Sequence, residues 1–97
     1  MEVVITASAE ADLADIYVYY ASRSGAAADR VVGVILKVVN GLATFPLMGA
    51  PGKVPTTREH LTMRYPYRIV YHVDEIRPTV EVWRIVHVTR QWPPTDE

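Results

Sequence analysis

The sequence predicts an α+β domain: a short N-terminal β-strand, an αα-hairpin, and then a three-stranded antiparallel sheet, in the order β-α-α-β-β-β. Three observations predict it. From residue 7 to about 44, apolar residues recur at steps of three and four, the spacing of one helix face. In the β-rich runs 67–73 and 80–88 the pattern changes to alternation. Between the halves lies a stretch of turn-formers, Gly49, Pro51, Gly52 and Pro55.

The first strand is the β-branched run 2–5, too short to stand alone, and it is expected at an edge of the sheet. Thr6 or Ser8 then offers a hydroxyl to the free amides of a first helical turn. The helix is expected over 7–22, with Ala9, Leu13, Ile16 and Tyr20 on its core face and Gly25 ending it. Tyr17, Tyr19 and Tyr20 are expected to pack against the second helix. Their chain neighbours are acidic, which argues against a platform for nucleic-acid bases.

The second helix is expected from 26 to 44, with Ala28, Val32, Ile35, Val39 and Leu42 on one face. Its many valines and Gly33 and Gly41 are poor helix formers, so tertiary contacts must hold it. Val31, Val34 and Val38 lie off that stripe, so a second surface is expected to cover them. Phe45-Pro46 stops the helix, because proline restricts the residue before it. The Gly-Ala-Pro-Gly-Lys run lacks the spacing of a phosphate-binding loop, since Val54 follows Lys53. Strands are then expected at 58–63, 67–73 and 80–88. Both faces of the last two carry apolar side chains, so alternation alone leaves the core face open.

Composition narrows the function classes. Ninety-seven residues with 49% apolar content make one domain, 1–97, with 93–97 expected as a flexible tail. There is no cysteine, which removes disulfides, thiolate metal sites and a thiol nucleophile. Neither a signal-type N-terminus nor a membrane-length apolar run is present, so a cytoplasmic domain is expected. The net charge is −1, with the basic residues concentrated after residue 52 and eight of ten being arginine. That suits a local contact with carboxylates or phosphates better than a long nucleic-acid track, and direct DNA binding by this chain alone is not expected.

Two chemistries compete for the basic strands. Metal-free RNA cleavage needs a base, an acid and a cationic clamp. His87 with His72 or Glu59 could supply the first two, and Arg68, Arg64 or Arg90 the clamp. The other reading is a binding module, with an open sheet edge, an apolar second helix and the Gln91-Trp92-Pro93 segment as contact surfaces. No metal-ligand spacing or serine-nucleophile motif occurs, so no metal or cofactor is expected.

The chain resembles toxins of the RelE/ParE superfamily from bacterial type II toxin–antitoxin pairs. Ala9-x-x-Asp12-Leu13-x-x-Ile16-x-x-Tyr19 is similar to that superfamily's first helix, and Leu42-x-x-Phe45-Pro46-x-x-Gly49 to its helix-to-loop junction. Thr57-Arg58-Glu59, Pro66-Tyr67-Arg68-Ile69-Val70-Tyr71 and Ile85-x-His87-x-x-Arg90-x-Trp92-Pro93 are similar to its later strands. RelE-like members cut mRNA on the ribosome, whereas ParE-like members are associated with inhibition of DNA gyrase. Arg68 and His87 resemble two catalytic residues of the YoeB-like nucleases, but Val88 stands where those enzymes have a tyrosine. The Thr-Arg-Glu motif and the His-x-x-Arg-x-Trp-Pro ending look more like ParE. The resemblance implies a gyrase inhibitor held in a hetero-oligomer by a ParD-like antitoxin. Arg58, Arg68, Arg84, His87, Arg90 and Trp92 would then serve recognition, and Val31, Val34 and Val38 antitoxin docking. Catalysis by Arg68 and His87 is the alternative.

Overall fold

A computed structural model describes residues 1–94; the end of the expected tail, 95–97, lies outside the described residues. The elements are β1 (Glu2–Ile5), α1 (Ala7–Ala21), α2 (Gly25–Gly41), β2 (Ala50–Pro51), β3 (Thr57–Leu61), β4 (Tyr67–Asp74) and β5 (Thr79–His87). They form an α+β domain whose single sheet has the order β1-β5-β4-β3-β2. The sheet is mixed. β1 is the expected edge strand but runs parallel to β5, while the other pairs are antiparallel. The two-residue β2 adds a strand beyond the expected four.

Local chemistry sets the helix ends. The Thr6 hydroxyl accepts from the Ala9 amide and opens α1. Ser22 caps its end with a backbone bond to Val18. Gly25, expected to end α1, instead begins α2. Ser24 stands before it as N-cap, its hydroxyl accepting from the Ala27 amide. The hairpin turn after β4 is held by Asp74, whose carboxylate accepts from the amides of Ile76 and Arg77.

The core lies between the helices and one sheet face. Ala9 and Ile16 from α1, Val31, Ile35 and Val39 from α2, and Leu42 pack on Tyr67, Ile69, Tyr71, Val80, Val82 and Ile85. A β-bulge fixes which face of β5 is inward. Val70 pairs with Arg84 and Tyr71 with Val82, so Trp83 has no partner on β4. Val82 and Ile85, three residues apart, therefore both point at the helices.

The bulge falls where β5 changes neighbours. β1 pairs with β5 only as far as Ile5 and Val82. Beyond that point groups from the start of α1 take over the edge. The Thr6 amide donates to the Val82 carbonyl at 3.1 Å. The Thr6 hydroxyl donates to the Trp83 carbonyl at 3.2 Å, and Asp12 accepts from the Ile85 amide at 2.8 Å. An edge that would otherwise expose backbone groups is thus satisfied by the Thr6 amide and by the Thr6 and Asp12 side chains.

Candidate functional site

The end of β5 and the middle of α1 frame a cleft of about 560 Å³. Asp12, Asp15, Ile16, Tyr19 and Tyr20 line one wall, and Tyr67, Arg84, Ile85, His87, Thr89 and Arg90 belong to the other side. Asp12 grips Arg84 in two places, with Nε donating to Oδ2 at 2.7 Å and Nη2 to Oδ1 at 3.1 Å. That carboxylate holds the Arg84 guanidinium pKa above its ordinary value, against the opposing effect of burial. Arg84 also lies under the Trp92 ring, 5.7 Å from its centroid. The indole Nε1 of Trp92 is buried without a hydrogen-bond partner among the described residues.

His87 is turned into the cleft. Its ring meets Tyr67 edge-on at 5.3 Å. The Thr89 amide donates to Nδ1, which places the imidazole proton on Nε2 in the neutral ring. Tyr67 is buried beside the hydroxyl of Tyr20. Burial first, then that neighbour, pushes the Tyr67 phenol far above its ordinary value, so it acts as a neutral group.

Arg68 is elsewhere. Tyr67 pairs with His87 and Arg68 with Val86, so His87 shares the inner face with Tyr67 while Arg68 points outward. On the outer face Arg68 binds Glu59 at 3.0 Å, with both side chains largely shielded. The second carboxylate oxygen of Glu59 accepts from the Lys53 amide at 2.8 Å. Glu59 is therefore already occupied by a cation and an amide, and is not a free base. His72, also on the outer face, leans on Trp83 at 5.8 Å and donates from Nδ1 to the Thr56 carbonyl at 2.8 Å. His87 is thus separated by the sheet from Arg68, Glu59 and His72, while Arg90 lines the same cleft as His87. Arg64 is exposed in the β3–β4 turn. Among the described residues no group of three or more His, Cys, Asp or Glu side chains is arranged to hold a metal ion.

Arg58 serves a third region. It shares the helix-side face with Tyr71, its partner across the ladder, and donates to the Gly49 carbonyl at 2.6 Å. The Tyr71 hydroxyl accepts from the Gly49 amide and donates to the Pro46 carbonyl, both at 2.8 Å. Burial raises the Tyr71 pKa, partly offset by the Gly49 bond and by Arg58. A Cβ on Gly49 would come within 2.8 Å of both the Glu59 carbonyl oxygen and the Tyr71 hydroxyl. The Phe45-Pro46-x-x-Gly49 pattern therefore has a mechanical meaning: proline and glycine bring the loop down onto Tyr71.

Two expectations about the helices need correction. Val31 is 1% exposed and belongs to the core, so it presents nothing to a partner. The core stripe of α2 runs Ala28, Val31, Ile35, Val39, and Val32 is its half-buried flank. Both sets have helical spacing, so the sequence could not choose between them. Val38 is half-buried against the core and Val34 is half-buried outside it. The tyrosines do not pack on α2 as a group. Tyr20 turns to Tyr65 in the β3–β4 turn, while Tyr17 and Tyr19 stay exposed. The sequence reading missed the role of Asp12. Its place in the first-helix motif was visible, but its partners lie more than seventy residues away.

Residues 3–92 match the family profile described as ParE toxin of type II toxin-antitoxin system, parDE. The chain belongs to the ParE toxin family. Among curated proteins, this ParE-family chain is 39% identical over 67 residues to Y4kP, a candidate toxin of Sinorhizobium fredii, covering 69% of this chain and 67% of that one. Among solved structures, a chain of the chromosomal ParDE system from Pseudomonas aeruginosa superposes with a TM-score of 0.80 at 28% identity, covering 91% and 96% of the two chains. A chain of the RelBE2 toxin–antitoxin complex from Mycobacterium tuberculosis gives 0.67 at 23% identity, covering 89% and 95%, and shares the fold. ParE and RelE toxins therefore have this same strand–hairpin–sheet architecture.

Proposed function

We propose that this ParE-family toxin inhibits DNA gyrase, without hydrolytic chemistry of its own, and is neutralised by a ParD-like antitoxin. One observation carries the choice against ribonuclease chemistry by Arg68 and His87, the pair that resembles the YoeB-like nucleases. Arg68 and His87 project from opposite faces of the sheet, and Glu59 is spent on Arg68 and the Lys53 amide. A general acid and a phosphate clamp must reach the same phosphodiester. The family membership and the Pseudomonas ParDE likeness support the same reading. Gyrase as target places the toxin's action in the cytoplasm.

The antitoxin would dock over α2 at Val34 and the exposed edge of Val38. An acidic segment would be drawn to the basic second half of the chain, and coupled folding would let it wrap a large surface.

A supercoiling assay with purified gyrase, run beside a translation-coupled mRNA cleavage assay, tests the proposal. The expected result is loss of supercoiling with intact mRNA, restored by the cognate antitoxin. Cleaved mRNA with unaffected gyrase, and cutting abolished in His87→Ala, would establish the ribonuclease instead.

A further inference from the structure

The end of the molecule where α1 stops and β5 runs out gathers rings and cations, of which the gyrase reading uses only His87 and Arg90. Tyr19 meets Tyr20 edge-on at 5.1 Å, and Tyr20 meets Tyr65 at 6.4 Å. Tyr67 and His87 form the same kind of contact across the cleft. Arg23 lies over the Tyr19 ring at 5.1 Å and donates to its hydroxyl at 3.2 Å. Arg64 is exposed next to Tyr65 in the chain, and Arg90 is exposed on the cleft rim.

The acids here are fewer than the sequence suggests. The Asp12 charge is cancelled by Arg84, which leaves Asp15 as the one carboxylate of the cleft lining outside an ion pair among the described residues. Arg90 thus lines an aromatic cleft that carries one acid outside an ion pair among the described residues, with Arg23 on the Tyr19 ring and Arg64 exposed beside Tyr65 in the chain. In the chain the tyrosines stand beside Asp12 and Asp15. The fold brings Arg90 into the lining from a distant segment and sets Tyr65, the chain neighbour of Arg64, against Tyr20.

We propose that this end binds an unpaired stretch of nucleic-acid strand, with phosphates at Arg23, Arg64 and Arg90 and a base against Tyr19. Tyr19 is 54% exposed, and an aromatic ring stacks on any base because every base has a π-face. The cleft, at about 560 Å³, lies within the range of small-ligand sites. The His87 ring lies there as well, with Nδ1 engaged by Thr89, beside the hydroxyls of Tyr20 and Tyr67. The strand can be DNA opened by an enzyme or single-stranded RNA, since both present the same phosphates and base faces. The proposal stands apart from the gyrase reading, because binding is measured without gyrase.

The test is fluorescence anisotropy with the full chain and short labelled oligonucleotides of one sequence, as DNA strand, RNA strand and DNA duplex, over roughly 50–200 mM salt. Single strands should bind, with a log–log salt slope of about −2, from three phosphates at about −0.7 each. Arg23→Ala and Arg90→Ala should each flatten the slope by about 0.7. Tyr19→Ala should weaken binding roughly fivefold or more at an unchanged slope. Arg77→Ala, in the β4–β5 turn at the far end of the strands, should leave both unchanged. All four residues are exposed, and circular dichroism melts confirm that the variants fold. A preference for DNA or RNA assigns the source, and either supports the proposal. It is overturned by absent salt-dependent binding, by preference for the duplex, or by equal losses in the Arg77 and Arg23 variants. It is also overturned if the Arg23 and Arg90 variants lose gyrase inhibition while the unmodified chain binds no oligonucleotide. The surface would then contact a protein.

Discussion

Asp12 and Arg84, 72 residues apart, are joined by two hydrogen bonds of 2.7 and 3.1 Å, and the same carboxylate accepts from the Ile85 amide. One side chain on α1 therefore balances a guanidinium and closes a gap in the edge of β5.

Asp12→Ala should cost about 2–4 kcal/mol, because it leaves both the Arg84 charge and the Ile85 amide without their acceptor. Asp12→Asn should cost less, since its amide oxygen can still accept one bond. Urea titration followed by circular dichroism measures both. A loss under about 0.5 kcal/mol in the alanine variant would mean that water replaces the carboxylate.

Gly49→Ala should destabilise by roughly 1–3 kcal/mol, because one of the atoms its Cβ would strike is backbone, the Glu59 carbonyl oxygen. Tyr71→Phe should cost a similar amount, about 1–3 kcal/mol, by leaving the Gly49 amide and Pro46 carbonyl unpaired. The double variant should recover part of the sum, which a thermodynamic cycle would read.

Raising the pH should leave stability unchanged until tyrosine ionises in the unfolded chain, near its ordinary value of 10.0. Above that pH the unfolded chain loses a proton that folded Tyr67 keeps, so stability falls as pH rises toward the folded pKa. In Tyr67→Phe the fall should be shallower. Denaturation midpoints from neutral pH into this alkaline range provide the test. An equal slope in the variant would remove Tyr67 as the source.

On α2, Val31→Ala should cost roughly 2 kcal/mol through a core cavity. Val34→Ala should leave stability within about 0.5 kcal/mol yet weaken antitoxin binding. Thermal melts and calorimetric titration with the cognate antitoxin separate the two effects. Unchanged affinity in the Val34 variant would move the docking surface off α2.

Thr56 has a φ of 69°, a left-handed backbone that β-branched residues avoid. The bond from His72 to its carbonyl helps hold it there. Thr56→Gly should stabilise the protein by up to about 1 kcal/mol as strain is released. A lower melting temperature would show that the side chain contributes more than the strain costs.

Elements with a strong local period were legible in the sequence. The α1 stripe of Ala9, Leu13, Ile16 and Tyr20 and the three C-terminal strands follow from spacing alone. The α2 stripe was ambiguous because Val31 and Val32 both satisfy a helical step. The core face of β5 was hidden by Trp83, since one unpaired residue reverses the alternation after it. The site was less legible. Arg68 and His87 look like partners when motifs are read in line, but the register sends them to opposite faces. The Asp12–Arg84 and Glu59–Arg68 pairs depend on the sheet and helix docking, which local patterns do not encode.

The handover along β5 bears on when the toxin can form during synthesis. β1 and the first turn of α1 have their sheet partners on β5, with Thr6 reaching Trp83 across 77 positions. Contacts of such long span form late, because a large loop must close before they are made. Residues 2–6 have no sheet to join until the chain through His87 has been made. The folded domain therefore forms only after β5 has been made, and a nascent chain stalled before β5 lacks both the cleft and the edge.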